Sequence, residues 1–223
     1  MIIGLVIYGK IHGHNGPKKY DIRHCFPNAQ RMIVDPLCQQ GHEVRTFICT
    51  YPVDDADVLA DFYTMTQPAN VTFCEVAGSS QFTTKTRAFE CFKDAKDLDL
   101  VVFSRSDIHY SVPIDKMTLD PKKFNFLFRE RNHWDNLKYT TDNFYAWPHS
   151  MTPLVEKAMA ETISTARAQG RVDTHNLYTL LCQYIPSEEI HFASEQHSLS
   201  DVNPFYTLCL QSLSESRFRC SEK

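Results

Sequence analysis

The pair Asp107 and His109 draws attention because both side chains can bind a cation and both follow an apolar run, residues 98–103. The run favours an extended strand without a polar face, which is typical of the middle of an α/β sheet. If the chain stays extended, the two side chains project to the same side. A carboxylate and an imidazole at the carboxyl end of a buried strand could hold a divalent cation, which could in turn hold a diphosphate. The alternative interpretation is a strand end whose polar groups face water.

The glycine-rich, basic segment of residues 9–20 is a second candidate for ligand binding. It follows an apolar first strand, predicted over residues 2–8, and its three lysines include Lys10. Its glycines do not match the dinucleotide spacing G-x-G-x-x-G, and it lacks the Walker Gly-Lys-Ser/Thr, so neither a dehydrogenase nor a P-loop enzyme is indicated. The segment could meet an anionic ligand, or it could be a solvated surface loop.

The composition describes a soluble globular protein of one domain. The 223 residues suffice for a full core, and the hydrophobic and charged fractions of 43% and 22% are those of ordinary globular chains. A formal net charge of −4 argues against nucleic acid as the main partner. No apolar run approaches the roughly 20 residues that cross a bilayer, so no transmembrane segment is expected. The eight cysteines form no Cys-x-x-Cys pair, and we expect reduced thiols and a cytoplasmic location.

The apolar periodicity of the first half alternates between strand and helix. Strands are predicted over residues 2–8, 42–51, 71–76 and 98–103, and helices over residues 28–40, 54–65 and 83–96. Thr83 or Thr84 is the expected N-cap of the third helix, and Pro36 should kink or shorten the first. This alternation is typical of a mostly parallel sheet with right-handed crossovers.

The second half has a different texture. Short strands are predicted over residues 117–119, 123–128, 143–147 and 189–193, and helices over residues 152–168 and 175–184. Thr152 followed by Pro153 is a typical helix start, with Thr152 as the N-cap. We therefore expect one α/β domain, residues 1–223, in which a nucleotide-type front half (1–110) meets a mixed rear half (111–223).

Four segments, taken in order, resemble those of the GT-A glycosyltransferases. They are residues 85–88, 99–107, 141–148 and 203–206, and their order and spacing cover nearly the whole chain. The details are similar to small glycosyltransferase domains of the chlorovirus type, which build glycans on the major capsid protein. The resemblance implies a Rossmann-like, mostly parallel central sheet flanked by helices, with a smaller mixed acceptor-side half. It also implies a nucleotide-sugar donor, with UDP preferred, a glycan or glycoprotein acceptor, and residence in the host cytoplasm.

The metal motif of this family is only partly present. The family normally carries Asp-x-Asp, whose last carboxylate coordinates Mn²⁺ or Mg²⁺ between the phosphates of the donor. The corresponding triplet here is Arg105-Ser106-Asp107, in which only the final carboxylate is kept. The resemblance implies that Asp107 holds the cation, with His109 as a candidate for the missing ligand. Arg105, with Ser106, could contact the donor directly, or Arg105 could pair with a nearby carboxylate.

Charge stabilisation is the chemical demand of such a donor site. Breaking a sugar–diphosphate bond leaves negative charge on the departing phosphate, which a divalent cation or fixed Arg and Lys charges can stabilise. Lys10, Lys85 and Arg87 are the candidates for contacting the diphosphate or ribose, although the last two could be ordinary solvated residues of a first helical turn. In the resemblant fold the end of the first strand meets the base, so Tyr8 and Gly9 are expected there, with the Tyr8 ring available for stacking.

An inverting transferase also needs a base that accepts the proton of the acceptor hydroxyl. Asp142 is the leading candidate because it opens a short strand of the acceptor half, and Asp135 and Glu130 are the runners-up. The alternative is that Asp142 forms a turn together with Asn143. A retaining enzyme needs no dedicated base.

Two further residues of the rear half are candidates for acceptor binding. Trp147 could form an apolar platform for a sugar ring, or it could belong to the core. His149 could be a late metal or phosphate ligand, or it could only be hydrogen-bonded.

Two other classes of function stay open beside the transferase. A metal-dependent nuclease or phosphohydrolase would use Asp107 and nearby acids, although that class usually needs clustered carboxylates. A non-catalytic nucleotide- or glycan-binding module would keep the pocket without turnover.

Overall fold

The computed structural model describes residues 1–15, 18–75, 81–130, 140–170, 176–195, 198, 203–208 and 211–212. In chain order, the front half contains β1 (Ile2–Tyr8), β2 (His12–Asn15), β3 (Lys18–Asp21), α1 (Ile22–Ala29), α2 (Asp35–Gln39), β4 (Glu43–Thr50), α3 (Ala56–Thr66), β5 (Asn70–Phe73), α4 (Gln81–Ala88) and β6 (Leu100–Arg105). The rear half contains β7 (Ile108–Tyr110), β8 (Phe124–Phe126), β9 (Phe144–Pro148), α5 (Thr152–Ala168), α6 (Leu177–Leu181), β10 (Ile190–Phe192), β11 (Tyr206–Leu208) and β12 (Gln211–Ser212).

The main sheet has seven strands in the order β10-β8-β9-β6-β1-β4-β5. β1 is parallel to both β4 and β6, and β4 is parallel to β5. β9 is antiparallel to both β6 and β8, whereas β10 is parallel to β8. A short antiparallel pair, β7 with β11, stands beside this sheet. The prediction of an α/β protein with a mostly parallel central sheet is therefore confirmed.

The central strand β6 is buried on both faces, as its apolar sequence predicts. Val101 and Phe103 pack into one core cluster together with side chains of α5. Leu100 and Val102 point the other way, into a second cluster with side chains of α1. Because burying a large apolar side chain stabilises the fold by about 1.5–3 kcal/mol, a strand covered on both faces anchors the sheet more strongly than an edge strand.

The first helix begins earlier and is less regular than predicted. Asp21 caps α1, and its side chain accepts a hydrogen bond from the Arg23 N–H at 3.1 Å. The chain then passes through one π-helical turn, Gln30–Val34, before α2. Pro36 lies in the first turn of α2. In a regular α-helix its ring would clash with the backbone one turn earlier, and the wider π-helical turn lies at that position.

Three other sequence predictions are wrong in detail. Part of residues 9–20 forms the hairpin β2–β3 rather than a loop. The third helix already begins at Gln81 and ends in a 3₁₀ turn, so neither Thr83 nor Thr84 is its N-cap. Residues 117–119 do not form a strand, since a 3₁₀ turn over Ile114–Lys116 leads into them.

The helix α5 has the predicted bounds but a different start. Thr152 has helical backbone angles, and its hydroxyl accepts a hydrogen bond from the Trp147 indole at 3.1 Å instead of capping the helix. Among the described helices, none is long and apolar enough to cross a membrane. Free thiols are present at Cys25, Cys38, Cys49, Cys74, Cys91 and Cys182.

Candidate functional site

The carboxyl ends of β1 and β6 meet where the strand order changes direction. From β1 the chain builds the sheet outward through β4 and β5, then crosses back to place β6 on the other side of β1. Tyr8 is the register partner of Arg105, and the Ser106 N–H donates to the Tyr8 carbonyl at 2.9 Å. In open α/β sheets, ligands bind in the crevice outside the carboxyl ends at such a switch point.

The loop after β1 lies directly against the turn after β6. Gly9 has a φ of +119°, and a Cβ atom at this position would lie 2.9 Å from the Ser106 hydroxyl oxygen. That hydroxyl donates to the Lys10 carbonyl at 2.6 Å. The structure thus brings Gly9, Lys10 and Ser106 together, and only glycine permits this approach without strain.

Arg105 and Asp107 form a two-pronged ion pair. The Arg105 Nε and Nη2 atoms donate to Asp107 Oδ1 and Oδ2 at 2.8 and 2.6 Å. The Asp107 side chain is only 4% exposed, and that of Arg105 is 20% exposed. Burial lowers the pKa of Arg105, but the carboxylates of Asp107 and Asp142 raise it by more, so the guanidinium stays charged. Arg105 is thus paired with a nearby carboxylate, and its direct contact with a donor stays a prediction.

A hydrogen-bond relay fixes the other edge of the guanidinium. Arg105 Nη1 donates to Asn143 Oδ1 at 2.8 Å, and Asn143 Nδ2 donates to the Tyr206 hydroxyl at 2.9 Å. The hydroxyls of Thr141 and Tyr206 are 2.7 Å apart. Burial raises the pKa of Tyr206, which keeps its hydroxyl protonated. Sequence reasoning assigned no role to Tyr206, although it lies in one of the four resemblant segments.

Lys85 and Asp142 form a second ion pair beside the first. The Lys85 side chain is 0% exposed, and its Nζ lies 3.3 Å from Asp142 Oδ2. The Lys85 ammonium also lies over the rings of Tyr8 and Tyr145, 5.7 and 5.8 Å from their centroids. Because an unpaired buried ammonium is very costly, these partners account for a lysine in the interior. The structure thus brings together two residues that the sequence predicted for the site, Lys85 and Asp142.

The ring of Tyr8 belongs to the core, so the prediction that it stacks on a base is wrong. Tyr8 is 0% exposed, and its ring centroid lies 4.6 Å from that of Phe103. Its hydroxyl donates to the Asp142 carbonyl at 2.7 Å. Burial raises the pKa of Tyr8 well above its ordinary value, and the neighbouring Tyr145 and Asp142 add to this rise. The protonated hydroxyl therefore positions the segment that carries Asp142.

Two predicted site residues lie apart from these two ion pairs. Arg87 is half exposed and pairs with Glu90 on the same helical segment. His109 lies on β7, beyond a turn at residues 106–107, so the extended chain on which its pairing with Asp107 depended does not exist. Burial and the Arg31 cation lower the pKa of His109.

The predicted acceptor contact of Trp147 is wrong, because its ring is buried, and His149 lies at the other edge of the sheet. Trp147 is 0% exposed and stacks on Phe124 at 5.7 Å in the core. The His149 N–H donates to the Asp99 carbonyl at 2.9 Å, at the amino end of β6. Because β9 is antiparallel to β6, the start of β9 reaches the carboxyl edge and its end reaches the opposite edge. Asp142 is therefore near the cluster, and His149 is not.

The residues around Asp107 do not fit the Mn²⁺ or Mg²⁺ that the resemblance implies. Both Asp107 oxygens accept hydrogen bonds from Arg105, whose positive charge would lie directly beside any cation bound to them. Within the described part of the chain, no group of three His, Cys, Asp or Glu side chains could hold a metal ion. Of the alternative bases, Asp135 lies outside the described residues, and Glu130 forms a backbone bridge with Ser198.

A cation on aromatic faces lies farther along the rear half, and sequence reasoning missed it. The Arg129 guanidinium lies 4.0 Å from the Phe192 ring centroid and 4.7 Å from that of Tyr178. Arg129 follows β8, which runs in the same direction as β6, so it belongs to the same edge of the sheet as Asp107. No local pattern announces this contact, because the two aromatic partners lie about fifty residues or more away along the sequence.

No protein-family model matches the chain, and no curated protein matches it.

Proposed function

We propose that this protein is a glycosyltransferase of the GT-A type. It would transfer a sugar from a nucleotide sugar, with UDP as the expected nucleotide, to a glycan acceptor. The resemblance gives that acceptor as the glycan of a viral capsid protein. The observation that carries the proposal is the buried cluster of two cations and two carboxylates at the switch point between β1 and β6.

The convergence of distant segments supports this proposal. Lys85, Arg105 and Asp142 come from three of the four resemblant segments, which lie far apart in the sequence. Lys85 contacts Asp142 directly, and Arg105 contacts Asn143, the residue that follows Asp142. A parallel half that adjoins a mixed half in one sheet is also the architecture that the resemblance implies.

The cluster has the charges that sugar transfer requires. Arg105 and Lys85 are fixed cations that can stabilise the negative charge developing on a departing diphosphate. In an inverting reaction, the Asp142 carboxylate would accept the proton of the attacking acceptor hydroxyl. Asp142 would have to exchange its contact with Lys85 for the hydroxyl, so acceptor binding would rearrange this pair.

Release of free nucleotide from nucleotide sugars tests the proposal. The protein would be incubated with UDP-, GDP- and CMP-sugars, with and without glycan acceptors, and nucleotide release would be followed over time. We expect release from one nucleotide class, and a loss of about 10²–10⁴-fold in Asp142→Asn for an inverting enzyme. The variant Arg87→Gln, on the exposed side of the same helical segment as Lys85, should keep the wild-type rate. Absence of both binding and release with every donor would contradict the proposal.

A non-catalytic nucleotide-binding module is the second candidate. It is favoured by one observation: both carboxylates of the cluster are already engaged by cations, as in a site built to hold a ligand rather than to turn it over. Saturable nucleotide binding without any turnover or transfer would assign the protein to this class. The nuclease alternative gains no comparable support, because each carboxylate of the cluster has its own cationic partner.

A further inference from the structure

We infer that the diphosphate of the donor binds to the Arg105 guanidinium without a bridging divalent cation, and that Asp107 is a positioning residue for Arg105. This inference rests on the proposed function, because it assigns the group that meets the diphosphate. It departs from the arrangement in which the final carboxylate of the triplet holds a metal ion.

The hydrogen-bond inventory of Arg105 leaves room for an anion. A guanidinium has five N–H donors. Among the described residues, Asp107 takes one from Nε and one from Nη2, and Asn143 takes one from Nη1. One donor on Nη1 and one on Nη2 remain, and the side chain is 20% exposed. N–H donors on a planar guanidinium match the oxygens of a phosphate group.

The guanidinium is held in place before any ligand arrives. Asp107 accepts hydrogen bonds from one edge of it. Asn143, which is itself hydrogen-bonded to Tyr206, accepts one from Nη1. The Arg105 backbone is fixed as well, since its N–H donates to the Asn143 carbonyl at 3.1 Å. A preorganised cation stabilises developing negative charge without the cost of reorienting during the reaction.

A divalent cation at Asp107 would have to undo this arrangement. It would take carboxylate oxygens that now accept from Arg105, and it would place two positive charges beside the largely buried guanidinium. Asp142 is not a ready substitute, because its carboxylate is paired with Lys85. Removing the partner of a buried charge is strongly unfavourable.

Calorimetric titration with UDP and GDP, in EDTA and in Mn²⁺, tests the inference. We expect one nucleotide to bind with the same Kd, within about twofold, in both conditions. Arg105→Gln should weaken its binding by about ten- to a hundredfold in both, because two charge-assisted hydrogen bonds are lost. Arg105→Lys keeps the charge without the planar fork and should also bind more weakly. Arg87→Gln is the matched control on a nearby exposed arginine, and its Kd should be unchanged.

Asp107→Asn separates the positioning role from a metal-ligand role. If Asp107 positions Arg105, this variant should weaken binding by the same factor in EDTA and in Mn²⁺. A melting curve without ligand checks that each variant is folded. If Arg105→Gln does not fold, Arg105→Lys takes its place in the binding test.

The outcomes distinguish this inference from the proposed function. Binding that requires Mn²⁺ and is lost in Asp107→Asn would overturn the inference and keep the transferase. Metal-free binding that is unchanged in both Arg105 variants would overturn the inference as well. Failure of every nucleotide to bind in either condition would overturn the proposed function together with the inference.

Discussion

The two edges of the main sheet carry ion pairs in very different surroundings. At the amino edge, Arg45 contacts Glu43 at 2.6 Å and Asp97 at 2.9 Å, and both carboxylate side chains are 56% exposed. At the carboxyl edge, Lys85 and Asp142 are 0% and 6% exposed, with a longer contact of 3.3 Å. Since water screens the first set and not the second, distance alone is a poor guide to the energetic weight of an ion pair.

The difference also bears on why the buried charges are there. Well-packed apolar side chains of similar volume often serve stability as well as a buried ion pair does. The carboxyl edge keeps its charges all the same, at the point of the sheet where ligands are expected. We therefore interpret these charges as serving ligand binding, and the charges of the amino edge as ordinary surface pairs.

The largest expected effect comes from breaking the buried pair. Asp142→Ala should lower the free energy of unfolding by about 3–5 kcal/mol, because it leaves the Lys85 ammonium buried without this carboxylate. Chemical denaturation measures the loss. The double variant Lys85→Met with Asp142→Leu should recover most of it, since both charges are then replaced by apolar groups. A single-variant loss no greater than that of Arg87→Gln would mean that burial does not distinguish the two edges.

A second test removes the close approach of the two carboxyl-edge segments. Gly9→Ala should cost about 1–3 kcal/mol, because a φ of +119° strains a residue with a Cβ and that atom would meet the Ser106 hydroxyl. Gly41→Ala is the matched control, since its φ is +80° and a Cβ there would have no contact within 4 Å. If the two variants lose equal stability in denaturation, backbone strain alone matters and the approach to Ser106 does not.

A third, smaller effect concerns acid on the carboxyl side of the sheet. The pKa of His109 is lowered from 6.5 in the folded protein by burial and by Arg31. The folded state therefore binds fewer protons than the unfolded state, so stability is intact above pH 6.5 and declines as the pH falls below it. Unfolding free energies at pH 8 and pH 5.5 should show a smaller decline in His109→Gln than in the wild type. Arg31→Gln should also reduce the decline, and an unchanged slope in both variants would rule out this explanation.

The smallest expected effect lies at the amino edge. Arg45→Gln should leave the melting temperature within measurement error, because its ion pairs are exposed and screened. Added salt should likewise change the melting temperature of the wild type only slightly. A loss comparable to that of Asp142→Ala would erase the contrast between the two edges.

Local pattern was enough to predict the elements whose packing is regular. The bounds of β1 and α5 were predicted to the residue, because one is a continuous apolar run and the other has a clear helical period. The carboxyl-edge position of Asp107 followed from the same logic. Pro36 was recognised as a disturbance, but the π turn before it depends on how the helix packs and could not be predicted.

The partners within the site could not be predicted in the same way. Lys85 and Asp142 are 57 residues apart in the sequence, and no periodicity links them. The direction of β9 decided that Asp142 meets the cluster and His149 does not, and strand direction leaves no trace in the apolar pattern. The same limit applies to Trp147, because the sequence of a strand does not show whether a tryptophan ring faces a sugar or the core.

The contact of Tyr206 with Asn143 also orders events during synthesis of the chain. Translation proceeds from the amino terminus, so Arg105 is made first and Asn143 next. Tyr206 follows Asn143 by 63 residues. The central strand and its arginine can therefore leave the ribosome long before the residue that completes their support. A nascent chain halted before β11 would contain the charged residues of the site but would lack the Tyr206 hydroxyl that holds Asn143 in place.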